Sequence, residues 1–210
     1  MPGFKTTRIL LIGLSGILAS IGLTGCGSTG IFGRDTSNKM IVSVSDQKML
    51  LVRDGTPVKT YKISTSKFGV GDRPGSHCTP LGRLQVAKKI GDKAPIGCVF
   101  KQRRPTGEVL KPNSPGRDPI VTRILWLKGT ETRNRHTFHR TIYIHGTPEE
   151  KRLGAPASYG CIRMASKDVA DLYNRVGYGA DVFVIRGSIQ SKRSSQNAAS
   201  TSISGSPNRG

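Results

Sequence analysis

The sequence predicts a mainly β domain, in the β-rich α+β class, with one short helix late in the chain. Two patterns carry this prediction. Apolar residues alternate with polar ones over short runs bounded by Gly and Pro, as is typical of strands. Apolar residues recur at helical spacing in one stretch, after residue 165. The body of the chain, residues 39–187, is long enough to bury its own core.

The first half of the body predicts antiparallel strands. Met40–Val44 and Lys48–Arg53 are predicted strands, and Asp54-Gly55 after them is typical of a two-residue hairpin turn. Further strands are predicted over 57–64 and 83–90, with a Gly- and Pro-rich loop at 69–82 between them.

The second half carries the predicted helix. Prolines predict a loop over 92–116, crossed by a short strand at 98–100, and a strongly apolar strand follows at 119–127. A polar loop at 128–140 leads into a strand at 141–144. Ser166 is predicted to cap the helix, which ends near Gly177. The helix spacing comes from Val169, Leu172, Tyr173 and Val176, and the last strand is predicted at 181–186.

The two ends of the chain differ from its body. Lys5 and Arg8 precede an apolar run, 9–23, which has the length of a signal-peptide core and is short for a membrane span. The run ends in Leu-Thr-Gly-Cys26, which resembles a bacterial lipobox whose cysteine becomes the lipidated first residue. We therefore predict a signal peptide with lipobox at 1–26, a flexible tether at 27–38 and a disordered tail at 188–210. An ordinary signal peptide or an uncleaved anchor is the alternative, and each exports the domain.

The net charge of +20, from 33 basic and 13 acidic residues, favours anionic partners. Nucleic acid, anionic lipid surfaces and cell-wall polymers all qualify, and a well-solvated basic surface is the plain alternative. The basic residues are spread along the chain without a zinc-finger, RNP-like or basic-zipper pattern. Together with the export signal, this disfavours nucleic acid.

One cysteine and one histidine suggest nucleophilic chemistry. Cys161 follows Gly160, which permits a tight turn whose N–H groups converge on a developing oxyanion. A thiol with an ordinary pKa near 8.5 needs a base, and His145 lies at a strand end. The carbonyl of Gly146 would accept the second ring proton of that imidazole. Arg163 would bind a carboxylate through two N–H groups.

Plainer interpretations stand beside this one. An isolated cysteine is most often a small buried hydrophobe, and a histidine at a strand end is most often a polar surface residue. A metal site from His136 and His139 with His145, or from His77-Cys78, lacks a recognised ligand pattern. We predict no metal and no organic cofactor.

The motifs together resemble the signature of the L,D-transpeptidase catalytic domain, the YkuD-type fold. The residues that carry the resemblance are His145-Gly146-Thr147 and Ser158-Tyr159-Gly160-Cys161-Ile162-Arg163-Met164. Most of residues 39–186 is covered, and the resemblance implies a β-sandwich with a short helix after the cysteine. The family usually has histidine before the Gly-Cys pair, whereas this chain has Tyr159. That departure bears on substrate preference and on stabilisation of the acyl-enzyme.

The resemblance also implies roles for single residues. Cys161 would be the acylated nucleophile and His145 its base, oriented by the Gly146 carbonyl. The N–H groups of Tyr159, Gly160 and Cys161 would form the oxyanion hole. The substrate site would be lined by Arg163, Ser158 and Tyr159.

The implied activity is peptidoglycan transpeptidation by an exported, membrane-anchored lipoprotein. The cysteine would cleave the bond between the third residue and D-Ala of a tetrapeptide stem, and pass the acyl group to an amine of another stem or of a wall-linked protein. Water as acceptor would make the protein an L,D-carboxypeptidase. A non-catalytic wall-binding module is a further alternative. Susceptibility to acylation by carbapenems is implied as well.

With Cys26 assigned to the lipid and Cys161 to catalysis, Cys78 and Cys98 remain. An oxidising compartment permits them to pair. The loop they would close, about 20 residues, would stabilise the fold by roughly 3 kcal/mol. Two reduced thiols are the equal alternative, because sequence does not give the Cα separation that a disulfide needs.

Overall fold

A computed structural model describes residue 3 and residues 33–190. The predicted signal peptide, the lipobox at Cys26, the first part of the tether and the tail from residue 191 lie outside the described residues. The strands are β1 (Asn38–Ser43), β2 (Lys48–Arg53), β3 (Thr56–Ser64), β4 (Gly82–Ile90), β5 (Cys98–Lys101), β6 (Arg104–Val109), β7 (Ile120–Gly129), β8 (Tyr143–Gly146), β9 (Ile162–Met164) and β10 (Asp181–Ile185). The helix α1 spans Ser166–Arg175, and two short 3-10 helices span Thr132–Asn134 and Glu150–Arg152.

The strands form one sheet in the order β4-β10-β1-β2-β3-β9-β8-β7-β5-β6. A further pairing between β4 and β7 closes eight of these strands into a ring, and the β5–β6 hairpin continues beyond it. Most neighbours are antiparallel, whereas β1–β10 and β8–β9 are parallel. The parallel pair β8–β9 is joined by the loop 147–161, which ends at Cys161.

The core lies inside this ring and under α1. Residues such as Met40, Leu51, Leu125, Ile144 and Leu172 are fully buried in one cluster. Burying a side chain of this size stabilises the fold by about 1.5–3 kcal/mol. The core therefore fixes β8 and β9, the strands that flank the candidate site.

The mainly β class and the helix after Cys161 are confirmed. The predicted Asp54-Gly55 turn is confirmed too, because both residues have positive φ, 47° and 81°, as a primed hairpin turn requires. No helix among residues 33–190 is long and apolar enough to cross a membrane.

Two strands of the structure were not predicted, and the N-terminus of α1 is capped by a different residue from the one predicted. β6 lies in the predicted loop 92–116, and β9 follows Cys161 directly. Ser166 is the first helical residue and makes no cap through its side chain. Its N–H instead donates to Glu150 Oε1 at 2.9 Å, so a carboxylate from the preceding loop caps the helix.

Candidate active site

Cys161 ends a tight turn immediately before β9. Gly160 has φ +119°, a region that L side chains rarely adopt. Ser158 Oγ donates to the Cys161 carbonyl oxygen at 2.6 Å and accepts from the Gly160 N–H at 3.2 Å. Ser158 is only 3% exposed. It therefore shapes the turn from inside, and its predicted place in the lining of the substrate site stays a prediction.

Two other segments hold this turn in place. Thr79 Oγ1 donates to the Gly160 carbonyl at 3.0 Å and accepts from the Ser66 N–H at 3.0 Å. Ser66 and Ser158 form an isolated β-bridge, and the Lys67 N–H donates to the Ser158 carbonyl at 3.1 Å. The position of Cys161 is thus fixed by contacts from residues far away in the sequence.

The Cys161 thiol is half-buried against an apolar cluster that includes Phe100 and Ile124. Its Sγ accepts from the Tyr143 N–H at 3.4 Å and donates to the Thr141 carbonyl at 3.6 Å. Burial raises the pKa of the Cys161 thiol to about 11, and the contact with Tyr143 offsets this only in part. The Cys161 side chain is therefore a neutral thiol at pH 7.

His145 lies on β8 and is 5% exposed. Its Nδ1 lies 2.8 Å from the Gly146 carbonyl oxygen. A carbonyl only accepts, so Nδ1 carries the proton and Nε2 has the free lone pair. Burial lowers the pKa of His145, against the opposing effects of the Gly146 hydrogen bond and the Asp118 charge. The imidazole is therefore neutral.

The parallel pairing of β8 with β9 brings the histidine and the cysteine to one face. Ile144 pairs with Ile162, and both are fully buried in the core. His145 pairs with Arg163 in the next register position. Because side chains alternate between the faces of a strand, His145 and Cys161 both project away from the core.

The predicted oxyanion hole needs a correction at one donor. The Gly160 N–H already donates to Ser158 Oγ and so does not point freely at a substrate. The N–H groups of Tyr159 and Cys161 remain as candidates.

Arg163 does not have the environment predicted for a residue that binds a substrate carboxylate. Its side chain is 3% exposed and forms ion pairs with Asp118 and with Glu149, the latter at 3.1 Å. It also donates to Ser64 Oγ at 3.4 Å. Arg163 therefore joins two loops to β3 beneath the site. Asp118, which also accepts from Thr147 Oγ1, was missed by sequence reasoning because an isolated Asp after a loop carries no motif.

Cys78 and Cys98 are not joined by a disulfide. Cys98 is buried in the apolar cluster with Phe100. Cys78 lies in the loop before β4, where its Sγ donates to the Phe68 carbonyl at 3.1 Å. The alternative of two reduced thiols therefore describes this structure.

Residues 33–190 contain no group of three or more His, Cys, Asp or Glu side chains arranged to hold a metal ion. Cys161 lies just before β9, and the neutral His145 lies on the adjacent strand β8 with a backbone carbonyl against Nδ1. A thiol and a neutral imidazole are the groups that thiol-dependent acyl transfer requires.

The chain belongs to the L,D-transpeptidase catalytic domain family, YkuD, whose model matches residues 37–185. The predicted resemblance is thereby confirmed. No curated protein sequence matches the chain.

Solved structures similar to this chain are L,D-transpeptidases. One from Mycobacterium tuberculosis is 20% identical, with 71% of this chain and 58% of that chain covered and a TM-score of 0.47. One from Mycobacterium smegmatis is 16% identical, with 71% and 58% covered and a TM-score of 0.47. One from Xylanimonas cellulosilytica is 18% identical, with 72% and 61% covered and a TM-score of 0.46. The chain spans less than two thirds of the length of each.

Proposed function

We propose that the protein is an exported peptidoglycan L,D-transpeptidase in which Cys161 is the nucleophile and His145 is the general base. The observation that carries the proposal is the 2.8 Å contact from His145 Nδ1 to the Gly146 carbonyl. It leaves Nε2 as the proton acceptor on the face that β8 and β9 share with Cys161. Family membership supplies the substrate class.

In the acylation step, Cys161 Sγ attacks the carbonyl carbon of the third stem residue, and the thiol proton passes to His145 Nε2. The tetrahedral oxyanion accepts hydrogen bonds from the N–H groups of Tyr159 and Cys161. Losing one such donor typically costs about 3 kcal/mol of transition-state stabilisation. The C–N bond to D-Ala then breaks, and the imidazolium returns the proton to the departing amine.

In the second step, an acceptor amine attacks the thioester. His145 takes a proton from that amine and delivers it to the departing Cys161 sulfur, so the free enzyme is restored. The acceptor is a stem amine or a wall-linked protein, and water in its place gives the carboxypeptidase reaction.

The neutral thiol and neutral imidazole of the resting site indicate that proton transfer accompanies attack. In the free enzyme Sγ donates to the Thr141 carbonyl at 3.6 Å, and this contact is lost when the thiol proton passes to Nε2. Catalytic hydrogen bonds commonly shorten only when the substrate is bound. Substrate entry therefore completes the pair.

The proposal includes the cellular location. A signal peptide exports the domain, a lipid on Cys26 anchors it, and the flexible tether lets it reach the wall. The net charge of +20 favours the anionic wall and lipid head groups.

The test is incubation with disaccharide-tetrapeptide, read by mass spectrometry. Loss of D-Ala with cross-linked dimer supports transpeptidation, whereas loss of D-Ala alone supports the carboxypeptidase. Both products must disappear in Cys161→Ala, and unchanged turnover in that variant refutes the nucleophile. Carbapenem labelling, read as added mass on Cys161, is an independent readout.

A further inference from the structure

An exposed cluster of aromatic side chains lies beside the catalytic turn. Tyr159 is 62% exposed and Phe68 is 49% exposed, and their ring centroids are 5.4 Å apart. His77 lies 5.7 Å from Phe68 and 5.8 Å from Tyr159 by ring centroids. Tyr159 is two residues from Cys161, so this cluster lies at the edge of the reaction site.

The ammonium group of Lys67 lies over this cluster. Lys67 Nζ is 4.4 Å from the Tyr159 ring centroid and 5.3 Å from that of Phe68. It also donates to Tyr159 Oη at 3.0 Å. In the described part of the chain, Lys67 forms no ion pair with a carboxylate. Arg163, by contrast, is neutralised by two carboxylates.

The backbone beneath the cluster is rigidly held. Ser66 Oγ donates to the His77 carbonyl at 2.5 Å, and the Lys67 N–H donates to Ser158. His77 has φ +55°, an uncommon conformation for a residue with a side chain. Uncommon backbone conformations of this kind cluster at functional sites. The backbone positions from which the Lys67 and His77 side chains project are therefore held by hydrogen bonds to other segments.

We propose that Lys67, Tyr159, Phe68 and His77 form a carboxylate-binding subsite that takes a carboxylate of the peptide substrate beside Cys161. Lys67 Nζ retains two N–H groups after its bond to Tyr159, and the Tyr159 hydroxyl retains its own proton. A carboxylate accepts all three. The hydrogen bond from Lys67 also lowers the pKa of Tyr159, which makes the phenol a stronger donor.

The rings of Phe68 and His77 add an apolar wall next to these donors. The terminal D-alanine of a tetrapeptide has a carboxylate next to a methyl group. The carboxylate would bind the Lys67 ammonium, and the methyl group would contact the exposed aromatic rings. The other carboxylates of the stem have the same charge chemistry. The identity of the ligand rests on the proposed function. The subsite also gives a binding role to Tyr159, which stands where the family usually has a histidine.

The kinetic experiment compares wild type with Lys67→Met on three tetrapeptides: the free acid, its C-terminal carboxamide, and the free acid with every internal carboxylate amidated. A charge-assisted contact made equally before and during reaction changes KM and not kcat. We expect Lys67→Met to raise KM for the free acid about tenfold with kcat retained. Tyr159→Phe, which removes one donor, should raise KM about threefold in the same direction.

The amidated substrates identify which carboxylate is bound. If the C-terminal carboxylate is the ligand, wild type and Lys67→Met have equal KM values for the carboxamide. If the internal carboxylate is the ligand, equality appears for the internally amidated peptide. Either result supports the subsite. An equal penalty on all three peptides, or no penalty on any, overturns it.

Binding to Cys161→Ala separates the subsite from the proposed activity. Titration of the free-acid tetrapeptide, followed by NMR, should show saturable binding that weakens about tenfold when Lys67→Met is added. The matched control is Lys39→Met, which removes an exposed lysine from β1, a strand three positions from β9 in the sheet. Lys67-dependent binding without turnover of the wild type would refute the proposed function and support the subsite. If the wild type turns over substrate but Lys67→Met does not weaken binding, the proposed function is supported and the subsite is refuted.

Discussion

His145 Nδ1 lies 2.8 Å from the carbonyl oxygen of Gly146, the next residue in the chain. The residue that fixes the tautomer of His145 is therefore its own neighbour in the chain, and no separate acid is required. Buried His145 cannot rotate freely without leaving a carbonyl unpaired, which typically costs about 1–3 kcal/mol. The contact leaves the lone pair on Nε2, where the proposed mechanism needs it.

We predict that His145→Ala lowers kcat by about 10²–10⁴-fold, since it removes the general base. Single-turnover acylation, read by the mass of the thioester, measures the step directly. His139→Ala is the matched control, because His139 is exposed and its ring contacts only that of Phe138 among the aromatic contacts of residues 33–190. A loss below tenfold in His145→Ala would show that another group accepts the proton.

The dependence of kcat/KM on pH should follow from the shifted pKa values of His145 and Cys161. His145 has a pKa below its ordinary value, so kcat/KM should rise with pH through the acid range and level off before pH 7. The pKa of the Cys161 thiol is raised to about 11, so the reactive neutral thiol persists and no decline is expected between pH 7 and 9.

Alkylation of the free enzyme by iodoacetamide checks the thiol separately. Its rate constant should increase steadily up to about pH 11, because the thiolate fraction follows the raised pKa of Cys161. A plateau reached near pH 7 would instead reveal a resting thiolate–imidazolium pair.

Gly160→Ala should abolish most activity. An added Cβ would lie 3.1 Å from Ile142 Cδ1 and 3.3 Å from the Cys78 carbonyl, and φ is +119°. The turn would have to move, and a displacement of about 1 Å at the nucleophile can cost on the order of 100-fold in rate. Gly116→Ala is the matched control, because Gly116 has φ +107° with nothing within 4 Å of an added Cβ. Equal losses of activity in both variants would show that crowding at the Gly160 turn is not the cause.

Asp118→Asn should destabilise the domain. It removes one of the two carboxylates that pair with the buried Arg163 guanidinium. Breaking a fully buried pair costs about 3–5 kcal/mol. Because Asp118 is 26% exposed and Glu149 remains, we expect a smaller loss, about 1–3 kcal/mol in urea unfolding.

The matched surface change is Glu108→Gln, which breaks the exposed pair with Arg117 and should cost less than about 1 kcal/mol. If Asp118→Asn unfolds at the wild-type urea concentration but has a raised KM, Arg163 acts on substrate as first predicted, and its structural role is refuted.

The strands and turns with strong local signals were predicted from sequence. The alternation in β2 and the Asp54-Gly55 turn are local, and both are confirmed. β6 was missed because Pro105 indicates a loop, yet an edge strand tolerates proline where no N–H is needed. β9 has three residues, too few to show alternation, and it exists because β3 and β8 pair with it.

In the candidate site too, local motifs could be recognised from sequence, whereas contacts between distant residues could not. Cys161 and His145 could be singled out from sequence because both lie in the motif that the family shares, and their catalytic roles stay predictions. The ion pair of Arg163 with Asp118 could not be predicted, because Asp118 is 45 residues away in the sequence and belongs to no pattern. The contact of Lys67 with Tyr159 spans 92 residues, so only the folded chain reveals it.

The closed ring of strands limits how copies of this domain can pair through their sheet edges. Eight strands form a ring, so the outermost strand of the order is β6, which is exposed along its whole length. Pro105 offers no N–H there, and Arg104 adds charge. Both features oppose strand-to-strand association between copies. Copies of the domain at high local concentration would therefore resist forming intermolecular sheets and would remain dispersed.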